Sequence, residues 1–195
     1  LSRFVTMLRT NINLLAFIEK LYAAQERKDN IILRTFGKGE RLLEQDIKID
    51  KVFIIREGVT KCYLTEENDK DYIFELLGKG EITGETEALK NRACLCTIEA
   101  ISPVTAYCMS SAFFLSLIDN NLDFNKILLH VLTDRILNTS SRSSFQQLYP
   151  LEYGLSKLLQ LQEKEQITLT RDDMAAYLGI TIRSLNRTLK QLKKE

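Results

Sequence analysis

Thr170-Arg171-Asp172-Asp173-Met174-Ala175-Ala176-Tyr177-Leu178-Gly179-Ile180-Thr181-Ile182-Arg183-Ser184-Leu185-Asn186-Arg187-Thr188-Leu189 reads as a helix-turn-helix. Thr170 caps a first helix, and Asp173 returns the hydrogen bond from the third helical position. Met174, Ala175 and Leu178 form its apolar face. Gly179 supplies the left-handed conformation that a residue with a Cβ tolerates poorly. Ile180 plugs the turn, and Thr181 caps a second helix that buries Leu185, Leu189 and Leu192 at helical spacing. Ile182, Arg183, Asn186, Arg187 and Lys190 are left on the outer side.

Charge points the same way. The chain is nearly neutral, with 27 basic and 26 acidic side chains. From Thr181 onward, however, the only acid is Glu195, against Arg183, Arg187, Lys190, Lys193 and Lys194. Phosphates dominate affinity for DNA, and arginine reads guanine edges with two hydrogen bonds. A basic helix can also be a plain solvated face. Two caps and a glycine turn in register favour a DNA-binding module.

The 195 residues, 45% apolar and 27% charged, suit one or two domains with real cores. No apolar run is long enough to span a bilayer and no signal peptide is visible, so no membrane partner is expected and the cytoplasm is the default. The chain begins with Leu1, which implies that the natural N-terminus precedes it. Four cysteines lack CxxC spacing and His130 is the single histidine, which argues against a zinc site.

Residues 31–110 read as β-structure. Short runs rich in β-branched and aromatic residues recur at Ile31–Leu33, Val52–Ile55, Cys62–Leu64, Tyr72–Leu77, Cys94–Ile98 and Val104–Tyr107. Gly37-Lys38-Gly39, Gly58, Asn68-Asp69 and Gly78-Lys79-Gly80 separate them, as in a sandwich or closed barrel. A helical stretch (Leu14, Leu15, Phe17, Ile18, Leu21, Tyr22) precedes the strands. Phe113, Phe114, Leu117 and Ile118 form a short helix after them. A longer helix runs from about Asp123 to Leu148, with Ile127, Leu128, Val131, Leu132, Ile136 and Leu137 on its apolar side, and Pro150 ends it. That stripe can be buried on the barrel or against a twin helix, with Asp134 and Arg135 flanking such a seam. A homodimer would set two recognition helices about one DNA turn apart on a palindromic operator.

This order of β-barrel, long helix and C-terminal helix-turn-helix resembles the catabolite-activator and fumarate-nitrate-reduction regulator family (CRP/FNR) over nearly the whole chain. Gly78-Lys79-Gly80-Glu81-Ile82-Thr83-Gly84-Glu85 is similar to the family's glycine turn, strand and Gly-Glu element, and a strand from Cys94 to Ala100 follows. Tyr177-Leu178-Gly179, then Arg183-x-Leu185, is similar to its YeiL branch. The resemblance implies an α+β fold. An N-terminal cyclic-nucleotide-binding-type β-barrel (a jelly roll) with flanking helices would occupy 1–122, a dimerisation helix 123–149, and a winged helix-turn-helix 150–195. The chain reaches Glu195 before the family's wing. The implied function is transcription regulation near promoters, with double-stranded DNA, RNA polymerase and an unknown small-molecule effector as partners.

On the DNA side the resemblance assigns base contacts to Ile182, Arg183 and Arg187, and phosphate contacts to Thr170, Arg171, Thr181 and Ser184. The family often has Arg then Glu at the first two base-contact places; the change implies a different operator. In the barrel the resemblance places an effector pocket at Gly84, Glu85, Arg92, Cys94, Leu95, Thr139 and Ser140. Glu85 stands where the family binds a ribose hydroxyl, and Thr139-Ser140 where it reaches a purine. Its phosphate anchor, Arg followed by Ser or Thr, is here Cys94-Leu95. A buried phosphate needs a charge-assisted partner, so cyclic AMP is not the expected effector, unless Arg92 folds over the pocket. Glu85 can instead accept backbone hydrogen bonds to close a turn. Cluster-binding relatives group cysteines near the N-terminus, whereas the first cysteine here is Cys62, so no iron-sulfur centre is expected. Cys94 and Cys96, two apart on one strand, read as small apolar residues.

Two other functions compete. A cyclic-nucleotide-type regulatory module without DNA would leave the basic second helix unexplained. A cupin-like oxygenase needs clustered histidines and carboxylates, so no enzymatic activity is expected.

Overall fold

The structure, a computed structural model, describes residues 7–27 and 29–192. The chain opens with β1 (Leu8–Arg9) and α1 (Ile12–Ala24), where Asn11 accepts from the Leu14 amide as a helix cap. β2 (Ile31–Phe36), β3 (Arg41–Leu43), β4 (Val52–Glu57), β5 (Thr60–Thr65), β6 (Asp71–Leu77) and β7 (Ile82–Thr83) follow. A short helix α2 (Glu85–Lys90) then leads to β8 (Thr97–Ala100) and β9 (Val104–Met109). The rest is helical: α3 (Ser111–Asn120), α4 (Leu122–Leu148), α5 (Leu151–Glu165), α6 (Arg171–Leu178) and α7 (Ile182–Leu192).

The strands form two sheets, in the orders β1-β6-β5-β8-β3 and β2-β9-β4-β7. Side chains alternate along a strand, so the central strands of each sheet feed a core on either face, whereas β2 is exposed from Ile32 to Thr35. Phe53 and Ile55 of β4 point between the sheets with Leu42, Leu77, Ile98 and Ala106. Val52 and Ile54, one residue out of phase, point the other way into a core with α1, α3 and α4. On the opposite flank Tyr63, Ile73 and Leu76 leave the sheet to meet Leu155, Leu158, Met174, Tyr177 and Leu185 of the C-terminal helices. The molecule is therefore layered as helices, sheet, sheet, helices. The C-terminal unit shares an apolar core with the barrel.

Two expectations need correction, on the cysteines and on Arg135, and a third is divided. Cys94 and Cys96 are not on a strand: β8 begins at Thr97. Cys94 instead exchanges backbone hydrogen bonds with the preceding loop, its amide donating to Ile47 O at 3.0 Å and its carbonyl accepting from Asp46 N at 2.8 Å. The apolar stripe of α4 is split. Phe124, Leu128 and Val131 are buried against α1 and the sheet, while Ile136 and Leu137 are 67% and 60% exposed. Arg135 does not flank a helical seam, because its guanidinium turns inward to Glu85.

Helix α5 has no counterpart in the sequence reading. Pro150 occupies its N-cap, and Leu155 and Leu158, three apart, are fully buried.

Candidate nucleic-acid interface and barrel site

The helix pair α6–α7 is built from local chemistry. Thr170 Oγ1 accepts from the Asp173 amide at 3.0 Å, and the Thr170 amide donates to Asp173 Oδ2 at 3.1 Å, closing the expected capping box. Gly179 terminates α6 at φ +67°, in the left-handed region. Thr181 Oγ1 then accepts from the Ser184 amide at 3.2 Å and caps α7. Leu185 and Thr188 are buried, Leu189 is half-buried, and Ile182, Arg183, Arg187 and Lys190 are exposed together. Arg171 donates to Asn186, tying the two helices across the turn. Thr170 and Thr181 therefore have capping roles beside any role toward phosphate. Lys193, Lys194 and Glu195 lie outside the described residues.

Two cations hold this unit to the barrel. Lys61 of β5 reaches Asp173 of α6 at 2.7 Å and Glu99 of β8 at 3.0 Å. Burial pushes the Asp173 carboxyl up, but the hydrogen bonds from Lys61 and Thr170 outweigh it and hold it below 3.8. Burial likewise works against the Lys61 ammonium, and its bonds to Asp173 and Glu99 still raise it above 10.5. The Asp173 contribution is present above its ordinary value and is lost as pH falls through the lowered one. The Lys61 contribution is present below 10.5 and is lost as pH rises through the raised value. The pair is intact across the neutral range.

The second cation is Arg142 of α4, buried without a carboxylate in contact among the described residues. Its Nη2 donates to Ile73 O at 2.7 Å and to Tyr177 O at 2.8 Å, and the guanidinium lies 3.9 Å from the Tyr177 ring centroid. Gln146 adds a bond to the same Tyr177 carbonyl at 3.1 Å and accepts from the Tyr72 hydroxyl at 2.9 Å. Arg142 thus touches long helix, barrel and helix-turn-helix at one point. Beside these contacts a cleft of about 1100 Å³ separates the barrel from the start of α7. Asp69, Asp71, Glu99, Asp172 and Asp173 line it against Lys38, Lys61 and Lys70, and Thr181, Ile182 and Ser184 open onto it.

Seven residues before Arg142 on α4, Arg135 faces the Gly84–Glu85 element. Gly84 has φ +87°, and a Cβ there would stand 2.4 Å from Lys51 O, so only glycine fits. Glu85 begins α2 and is buried. Rather than closing a turn with backbone amides, it is ion-paired with Arg135, whose Nη2 also donates to Ile82 O at 3.1 Å. Thr139, one helical turn beyond Arg135, donates to Glu75 Oε1 at 3.0 Å. Glu75 and Glu81 both pair with Arg9 of β1. Three carboxylates thus face two guanidiniums in a buried cluster. Burial pushes the Glu81 carboxyl up, against the pull of Arg9 and Arg135.

The other residues assigned to an effector pocket do not gather there. Cys94 is buried against the 46–47 loop, Leu95 and Arg92 are exposed beyond α2, and Ser140 is exposed on α4. The Leu95 amide donates to Glu87 Oε1 at 3.2 Å. The sequence does not single out Arg9, Lys61, Glu75 or Arg142, and names Glu81 and Arg135 without their ion-pair partners, because these partners lie 50 or more positions away, apart from the shorter Lys61–Glu99 and Arg142–Tyr177 links. Among the described residues no group of three His, Cys, Asp or Glu side chains is placed to hold a metal ion.

Comparison with known proteins accounts for both halves. Residues 33–121 match the cyclic nucleotide-binding domain, and residues 155–195 match the Crp-like helix-turn-helix domain. The fumarate and nitrate reduction regulatory protein of Escherichia coli K12 is 23% identical over 188 residues, covering 87% of this chain and 72% of that protein. The transcriptional activatory protein AadR of Rhodopseudomonas palustris is 25% identical over 171 residues, covering 82% and 70%. In fold, the c-di-GMP-responsive global regulator CLP of Xanthomonas campestris superposes with a TM-score of 0.75 at 17% identity, over 92% of this chain and 91% of that one.

Proposed function

From the premise that this chain belongs to the CRP/FNR family of DNA-binding transcription regulators, we propose that it reads a palindromic operator as a homodimer through α7. The observation that carries this reading is the outer face of α7, where Ile182, Arg183, Arg187 and Lys190 stand clear while Leu185 anchors the helix. Arg183 and Arg187 contact guanine edges, Ile182 a thymine methyl, and Thr170, Arg171, Thr181 and Ser184 the phosphates. The exposed Leu129, Ile136 and Leu137 of α4, at 60%, 67% and 60%, supply an apolar stripe for a twin helix. Regulation then proceeds in the cytoplasm, with RNA polymerase as the downstream partner and a small-molecule effector acting on the barrel.

That effector is not cyclic AMP. Cys94-Leu95 offers no charge-assisted partner for a phosphate, and the Glu85 carboxylate is taken up by Arg135. Selection from random duplexes is expected to recover inverted repeats whose half-sites lie about 34–36 Å apart, bound with a steep salt dependence. Adding 1 mM cyclic AMP is expected to leave both that affinity and the melting temperature unchanged. A ligand at 100 times its Kd would stabilise the protein by about 2.7 kcal/mol, so even moderate binding would be visible. Recovery of unrelated sequences, or a cyclic AMP shift, overturns the corresponding half of the reading.

Docking on the barrel opposes DNA binding. Thr181, Ile182 and Ser184 open onto a cleft lined by five acids against three lysines, a setting that repels phosphates, so DNA engages α6–α7 more readily once they move off the barrel. Lys61→Met removes one clamp, worth about 1 kcal/mol, and leaves the α6 capping box in place. DNA affinity measured by fluorescence anisotropy is expected to rise about fivefold. The sign is the test: if Lys61 instead contacted DNA, losing its charge would lower the affinity.

A further inference from the structure

The cysteines are the one reactive set that this function leaves unused. Cys108 is buried between the sheets, and Cys94, also buried, has its thiol pushed up to about 11, chiefly by burial. Cys62 and Cys96 are different. Their sulfurs stand 3.0 Å apart, between β5 and the residue that leads into β8. Cys62 lies in the paired part of β5, opposite Ile98 of β8, and Tyr63 lies opposite Thr97. Cys96 is the residue just before Thr97, where the ladder ends, so its backbone is not held in register. A disulfide needs its sulfurs at about 2.05 Å, so a shift of about 1 Å at this loose end closes the bond. Cys62 is buried, whereas Cys96 is half-buried and reachable by a small oxidant.

We propose that Cys62 and Cys96 form a reversible dithiol–disulfide site that fixes β5 to the entry of β8, with low-molecular-weight disulfides as the oxidant class. The Cys96 thiolate attacks the oxidant, whose S–S bond breaks; one thiol leaves and a mixed disulfide stands on Cys96. Cys62 then loses its proton and attacks Cys96 Sγ, expelling the second thiol. The pair gives up two electrons and two protons, and the oxidant is reduced to two thiols. Burial, with Cys96 and Glu75 adding to it and Arg135 opposing, pushes the Cys62 thiol well up, so the closing step is slow at neutral pH. The strand affected is central: Lys61, the residue before Cys62, holds α6, and Glu75, opposite Cys62 in register, accepts from Thr139 of α4.

The full chain is equilibrated in glutathione buffers of graded potential, quenched by alkylation and mapped by peptide mass. The expected product is one Cys62–Cys96 crosslink, two hydrogens lighter, with Cys94 and Cys108 alkylated. Oxidation should raise the melting temperature by about 5–10 °C, since it closes a long loop in the unfolded chain. Cys96→Ser, at a half-exposed position, should fold and lose both effects; Cys62→Ala should do the same. Free Cys62 and Cys96 in the most oxidising buffer, a Cys94–Cys96 link, or glutathione retained on Cys96 would each overturn the proposal. Neither readout depends on DNA, so the operator reading can fail without disturbing this result.

Discussion

Arg9→Met is expected to destabilise the protein by about 3–5 kcal/mol, the cost of removing one partner from a buried ion cluster. A single guanidinium serves two buried carboxylates, Glu75 and Glu81, and all three residues are less than a tenth exposed. Methionine keeps the stem volume and removes both hydrogen bonds, leaving two carboxylates facing each other in a low-dielectric setting. Chemical denaturation at neutral pH measures the loss. The variant should also acquire a characteristic pH dependence. Burial already pushes the Glu81 carboxyl up, and without Arg9 less opposes it, so the folded state binds more protons than the unfolded chain. Stability is then regained as pH falls through the raised value and lost again as pH rises, relative to the parent. The triple replacement Arg9→Met, Glu75→Gln, Glu81→Gln removes the charges together and should recover most of the loss, since glutamine can still accept from Thr139. A flat pH profile in Arg9→Met would mean that the two carboxylates are solvated rather than trapped.

That cluster also marks where the sequence stops being readable. The α6–α7 pair was legible residue by residue, because each device in it is local. Thr170 needs Asp173 three positions on, Gly179 needs only its own φ, and Thr181 needs Ser184. The Val52–Ile55 strand followed from its run of β-branched and aromatic residues, and its consecutive side chains feed opposite cores. The same signal failed at Cys94–Cys96. A run of small and β-branched residues looks like a strand, but two backbone bonds to the 46–47 loop had already claimed Cys94. Arg135 looked like one more charge beside an apolar stripe. Its partner is set by which strand end lies under α4, 50 positions away in the chain, and no periodicity encodes that. Arg9, Lys61 and Arg142 share this property. Helix α5 was recoverable, since Leu155, Leu158 and Leu161 follow Pro150 at helical spacing. The barrel as a fold was therefore accessible from pattern, whereas the charge contacts that join it to α4 and α6 were not.

Changing Arg183 and Arg187 together to alanine is expected to weaken binding to the selected operator on the order of 10³-fold, each bidentate guanine contact contributing about 1–3 kcal/mol. Neither side chain supports the fold: both are exposed, and alanine is the best helix former, so α7 and its buried Leu185 should persist. The affinity loss alone would not settle the role, because any two positive charges attract phosphate. The discriminating quantity is the ratio of operator to random-sequence affinity, measured at one salt concentration. Base-reading arginines predict that this ratio collapses while weak, salt-dependent binding remains. Phosphate-binding arginines predict a parallel fall on both duplexes and an unchanged ratio. Arg183→Lys with Arg187→Lys separates the two further, since lysine keeps the charge but lacks the planar fork that matches guanine O6 and N7. Ser184→Ala serves as the control for uniform loss: on the proposed reading its hydroxyl meets a phosphate, and its amide, not its hydroxyl, bonds Thr181. If the ratio survives in the double alanine variant, α7 does not read the bases, and sequence discrimination must come from the shape of the duplex instead.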